Sequence, residues 1–336
     1  MTIPRVEVAY KLALYMFTVP SIVLYCLILR ILVAKRNEPL FRHPFFRFST
    51  LIAALDCAHL MLFNIFIRLP SMGFLETYYR SMPHSLVRFY VVTSTHLTIA
   101  RMIGGVLVCL NRFSAILLPF AQKLIWSTNT IRLCYLSVIF MPSLYSYQWL
   151  FCECRFTAYK DQSGAMVEIR GISGKTKLRD STLMFLIYSL VCLIINLSAL
   201  ILYRHRSQRF WGSSRIELNL LLITIAIFAI TTLLALFQFL FYISTYGPER
   251  FRFMATMLKG SAAWLLDLYF VANGWILVIG SRELRALLFI KNLTAYRQIV
   301  KGGDGKNTHQ TTLGKRCIKI HCTIKTSDVG IKSSNC

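Results

Sequence analysis

The chain is poor in charge and poorer still in acid. Charged residues make up 15% of its 336 positions, with 14 Asp and Glu against 38 Lys and Arg. A typical soluble domain carries about 25% charged residues, so too little polar surface is present to cover a water-soluble globule. Catalytic signatures are missing as well. There is no GxxxxGK[ST] phosphate loop, no HExxH zinc pair and no GxSxG nucleophile elbow. Nothing therefore calls for an enzyme, a cofactor or a metal. The glycine pair Gly104–Gly105 falls inside an apolar run and reads as a close helix contact rather than a nucleotide site. No period of 20–50 residues marks a repeat architecture. Of the ten cysteines, Cys26, Cys57, Cys109, Cys134 and Cys192 lie in apolar runs and act as small hydrophobes. Only Cys152 and Cys154 fall near an outer face, with no third outer cysteine to pair with.

What is present is apolar: 56% hydrophobic residues and a net charge of +24. A basic excess of this size suits nucleic acid, but its location between apolar runs points instead to anionic lipid headgroups. Nucleic acid is not expected as a partner. A bilayer core takes about 20 apolar residues in a helix, and seven runs meet that length: Tyr10–Ala34, Phe48–Leu69, Phe89–Leu110, Leu133–Cys152, Leu183–Tyr203, Leu218–Ser244 and Ser261–Gly280. The expected fold is an all-α membrane protein, a seven-transmembrane-helix bundle with its N-terminus outside and its C-terminus cytosolic. The loops divide Lys and Arg almost evenly. The segment from Arg282 onward and the cluster after the first run (Lys35, Arg36) supply the inner excess.

Three parts follow. Residues 1–281 form the bundle. Residues 282–301 form an amphipathic juxtamembrane segment, with Leu284, Leu287, Leu288 and Lys291 at helical spacing. Residues 302–336 are a polar, basic tail expected to be disordered.

Ionisable groups at membrane depth are expensive and face the bundle interior. Counting about 1.5 Å per residue from the inner end of each run, Asp56, Arg101 and Asn273 fall at about 12–15 Å, His59 at about 17 Å, and His96 and Asp267 at about 21–22 Å. Equal depth pairs Asp56 with Asn273, Asp56 with Arg101, and His96 with Asp267. Asp56, His59, Arg101 and Asn273 read as an intramembrane polar network that holds or switches the bundle. For His96 and Asp267, ligand contact and structural pairing are both open. Arg30 and Arg68, near run ends, are expected to snorkel. A proton-coupled or small-solute transporter using Asp56, His59 and Arg101 is the alternative from another class, although the halves show no paired broken helices.

The most specific motif ends the third run: Asn111-Arg112-Phe113-Ser114-Ala115-Ile116-Leu117-Leu118-Pro119. It resembles the rhodopsin-like receptor pattern of acid, Arg and aromatic followed by Ile and then Pro, with Asn111 in place of the acid. A cation at the cytosolic end of a central helix can be held in one bundle arrangement and released in another. Without the acid, the lock on Arg112 must differ, with higher basal activity as one outcome. Other rhodopsin-like features are missing: no Cys tops the third run, and no Pro and Tyr follow Asn273.

The combination looks more like the nematode serpentine chemoreceptors of class gamma (Srg). The residues that carry this resemblance are Phe45-Phe46-Arg47, then Asp56, Asn64 and Arg68, and Asn111-Arg112-Phe113 through Pro119 to Trp126. The resemblance implies a chemosensory G-protein-coupled receptor in the plasma membrane, in the family often of sensory neurons and their cilia. It would bind a small chemical cue in an outer cavity and signal to a cytosolic heterotrimeric G protein. Asn111, Arg112, Phe113, Ile116 and Pro119, with the basic third inner loop (Arg204, Arg206, Arg209, Arg215), would form the coupling surface.

Overall fold

The computed structural model describes residues 5–38, 41–72, 75–158, 165–170, 174–209, 215–246 and 252–290. The tail and the distal part of the juxtamembrane segment, 291–336, lie outside the described residues.

Helix α1 runs Arg5–Ala34. Helix α2, Pro44–Phe63, starts on a His43 cap with Pro44 in its first turn, where a missing N–H costs nothing. It continues through a π-helical turn, Asn64–Arg68, into α3, Leu69–Ser71. A short α4, Glu76–Arg80, precedes the long α5, His84–Leu117. Helix α5 stops at Leu118, one residue before Pro119, because the residue before a proline is disfavoured in helical conformation. Then come α6 (Gln122–Ile125), α7 (Thr128–Phe140, capped by the Ser127 side chain on the Thr130 N–H) and α8 (Ser143–Ser146). Strands β1 (Glu153–Ala158) and β2 (Ala165–Arg170) follow, then α9 (Gly174–Arg209), α10 (Arg215–Tyr246), α11 (Arg252–Gly280) and α12 (Arg282–Arg285), with a π-helical turn, Ala286–Ile290, last among the described residues.

Among the described residues five stretches are long and apolar enough to cross a membrane: Tyr15–Ala34, Pro44–Ser71, His84–Leu117, Leu178–His205 and Asn219–Tyr246. The apolar part of α11, Leu265–Gly280, is shorter. Neighbour contacts run α1–α2–α5–α9–α10–α11 and back to α1, with α7 and α8 leaning on α5. Helix α5 is thus the central post. Close approach to it depends on Gly105, where an added Cβ would sit 2.2 Å from the Tyr188 hydroxyl of α9, so the expected glycine contact between helices is present.

Two expectations change. The fourth run does not form one helix over Leu133–Cys152: α7 ends at Phe140, a turn follows at Met141–Pro142, and a 3-10 helix occupies Tyr147–Phe151. Pro142 has no N–H to extend the helix; its carbonyl instead accepts from the Tyr145 and Ser146 amides. The bundle is also not purely helical. The long connection after Cys152 folds as an antiparallel hairpin pairing Glu153 with Arg170 and Ala158 with Ala165. Cys154 and Phe156 alternate inward on β1 and join Tyr79, Val87, Tyr90, Trp149 and Phe66 in a core. Arg88 Nε donates to the Cys152 carbonyl (2.9 Å), and His84 Nδ1 lies 3.0 Å from the Cys154 carbonyl, so the hairpin is tied to the first turns of α5.

Candidate functional site

Polar side chains gather at three levels along α5. At the hairpin end, a cavity of about 370 Å³ opens between α2, α5, α9, α10 and α11. Its α5 wall carries the hydroxyls of Ser94, Thr95 and Thr98. Tyr90 of α5 joins them, and the other walls carry His59, Phe63, Trp149, Phe185, Gln238 and Phe270. Among the described residues no Asp, Glu, Lys or Arg lines it. The His59 ring is buried and stacks on Phe270 with centroids 3.8 Å apart. Its Nδ1 has no hydrogen-bond partner among the described residues.

At mid-bundle, Asp56 is fully buried. One carboxylate oxygen takes the Arg101 Nε–H in an ion pair, and the other accepts from Asn273 Nδ2 at 3.1 Å. Arg101 also donates to the Tyr269 carbonyl (2.7 Å), and its guanidinium lies 3.5 Å from the Tyr269 ring centroid. The Tyr25 hydroxyl accepts the Gly274 N–H (2.9 Å) and lies 2.6 Å from the Phe270 carbonyl and 3.1 Å from Asp56 Oδ2. That approach requires Gly274: an added Cβ would meet the Tyr25 ring at 2.9 Å. The two depth pairings involving Asp56 are therefore made. His59, on the same face of α2, makes no hydrogen bond to the cluster among the described residues and belongs to the cavity wall.

The third depth pairing is not made. Asp267 forms an ion pair with Arg68, which also donates to Asn64 Oδ1 (3.3 Å) and to Thr18. Arg68 is 5% exposed and does not snorkel. The π-helical turn Asn64–Arg68 shifts the register of α2 by part of a turn, and Asn64, itself donating to the Leu60 carbonyl (2.7 Å), helps to aim Arg68 inward. His96 instead faces α8, with Nδ1 3.5 Å from Ser146 Oγ. Neither His96 nor Asp267 lines the cavity.

At the far end of α5 lies the nine-residue motif. Asn111 and Arg112 are buried at 0% and 2% exposure. Arg112 Nη2 donates to Asn111 Oδ1 (2.6 Å) and to His43 Nδ1 (3.1 Å), and its guanidinium stacks over Phe45 with 4.7 Å to the centroid. His43 Nδ1 accepts from the Phe45 amide as well (3.3 Å), while Nε2 sits 3.1 Å from the Gln122 side-chain amide. Burial, and next the Arg112 charge, push the His43 imidazole down to about 4, so at neutral pH it is an uncharged acceptor. Ile116 and Phe113 pack against Ala199 and Tyr203 of α9 and Leu221 of α10. Ser114 accepts from Trp126 Nε1 (2.7 Å). Pro119 follows in the turn. Arg204 is exposed at the end of α9; the side chains of Arg206, Arg209 and Arg215 lie outside those described.

A sequence model for Srg family chemoreceptors matches residues 12–288. The chain belongs to the Srg family. No curated protein matches it. As an Srg chemoreceptor it is a serpentine membrane receptor, and the match ends at Leu288, inside the juxtamembrane segment. Two parts of this Srg chain escaped sequence reasoning. His43 precedes the α2 proline and has no visible partner in sequence. The cavity wall was signalled only by the Ser94, Thr95 and Thr98 hydroxyls inside an apolar run.

Proposed function

We propose that this chemoreceptor binds a small uncharged cue in the cavity at the hairpin end and couples to a heterotrimeric G protein at the Arg112 end. Helices α1, α2, α5, α9, α10 and α11, and the broken segment from α7 through α8 to the 3-10 helix, would cross the plasma membrane, in sensory cells at the cilium, with the N-terminus and hairpin outside and the motif in the cytosol. Residues 1–281 would form the receptor body, 282–301 a surface helix and 302–336 a cytosolic tail. The observation that carries this reading is the placement of the cavity and the motif at opposite ends of one helix, with the Asp56 cluster between them. A ligand that prefers one packing of α2, α5 and α11 would shift the population that holds Arg112.

The absence of charged residues among the described residues of the cavity lining argues for a neutral cue, because a buried ion without a counter-charge is costly. Thr98, His59 and Gln238 would supply the orienting hydrogen bonds, in place of His96 and Asp267. Transport by Asp56 would require a carboxylate free to exchange protons, whereas both Asp56 oxygens are already engaged. The test is a cue screen in cells with a G-protein readout. Thr98→Val and Gln238→Leu should lower cue potency about tenfold, the size of a lost hydrogen bond, at unchanged surface abundance. Unshifted potency in both would remove the cavity from the reading.

A further inference from the structure

A second cavity, of about 430 Å³, lies beside the motif and has the opposite chemistry. Among the described residues three cations line it, Arg42, Arg47 and Lys123, and no carboxylate does. None of the three makes an ion pair among the described residues. Two helices also begin at its wall: α2, 20 residues long, through Pro44, and α7, 13 residues long, through Thr128. Helix N-termini present unpaired N–H groups and partial positive charge. Cations and two helix starts converging on one space repel each other unless an anion fills it, and tetrahedral phosphate suits Arg forks and Lys together. Just outside, Phe120 is 96% exposed and Leu124 81% exposed. Large bare apolar side chains flanking a cationic cavity fit a molecule that joins a phosphate to an acyl chain.

We propose that this cavity binds the phosphate headgroup of an anionic lipid of the leaflet that faces the motif. The site is distinct from the cue cavity and abuts the Arg112 lock, since His43 lines it and bonds Arg112. The leaflet named here depends on the orientation proposed above, but binding in detergent does not, so the two ideas fail separately.

The experiment is native mass spectrometry of the full-length receptor in detergent, titrated with anionic phosphatidic acid or zwitterionic phosphatidylcholine of matched chains. The wild-type receptor should retain phosphatidic acid about fivefold more strongly, the scale of one well-placed cation at a lipid surface. R42Q, R47Q and K123Q should each remove that preference. Arg132→Gln, an exposed cation on α7 outside the cavity, removes the same charge and should keep it. Equal retention of the two lipids by the wild type, or the same preference in wild type and R47Q, overturns the proposal. Two competition arms separate the sources. Displacement by millimolar inorganic phosphate would assign the cavity to a soluble phosphate, and displacement by an acidic peptide would assign it to a protein partner; either result overturns the lipid assignment. Lipid retained against both supports it.

Discussion

Among the described residues three arginines are buried, and they are held in different ways. Arg101 and Arg68 each meet a buried carboxylate, Asp56 and Asp267. Arg112 is held, in its described contacts, by uncharged groups: the Asn111 amide, a neutral His43 and the Phe45 ring. Charged pairs at membrane depth are costly to separate, because each partner would be left buried and alone. A guanidinium held by neutral acceptors can exchange them at far lower cost, about 1.5–3 kcal/mol per hydrogen bond to a charged group. We propose that the first two act as fixed fasteners and that Arg112, whose described hydrogen-bond partners are uncharged, is the one released.

The comparison predicts a graded series of effects. Asp56→Ala, which leaves Arg101 uncompensated, should cost most, about 3–5 kcal/mol, seen as a steep fall in Tm or loss of receptor from the cell surface. An Asp56→Ala receptor as stable as wild type would contradict the fastener role. Asp267→Ala should cost less, about 2 kcal/mol, since Thr18 and Asn64 still accept from Arg68. Combining it with Arg68→Leu should recover most of that loss, and a double variant no better than Asp267→Ala would break the assignment. His43→Ala should change stability by about 1 kcal/mol yet raise basal signalling severalfold, while H43Q, which keeps an acceptor, should stay close to wild type.

The smallest effect concerns pH. His43 is held at about 4, below its free value of 6.5. The unfolded chain therefore takes up the proton first as pH falls, so the stability that neutral His43 confers is complete above 6.5 and is lost as pH drops toward 4. A melting series over that range should slope less for H43Q than for wild type; parallel curves would contradict it.

Much of the core was legible because helical rise converts sequence position to depth. That arithmetic brought Asp56, Arg101 and Asn273 to one level, and the structure joins them. Depth says nothing about direction around a helix, so it paired Asp267 with His96 at equal height. The π-helical turn at Asn64–Arg68 instead rotates Arg68 into that place. The fourth run misled because composition hid the effect of Pro142. The hairpin was readable in principle from the alternation of Cys154 and Phe156 with Glu153, Arg155 and Thr157, but six residues carry too weak a period beside seven apolar runs.

The most direct measurement compares Arg112→Ala with wild type at matched surface abundance, reading Tm and cue-evoked nucleotide exchange on the G protein together. The account predicts a Tm within a few degrees of wild type and no cue-evoked exchange. Full exchange, or a collapse in Tm like that expected for Asp56→Ala, would show that Arg112 is a fastener like the other two and not the switch.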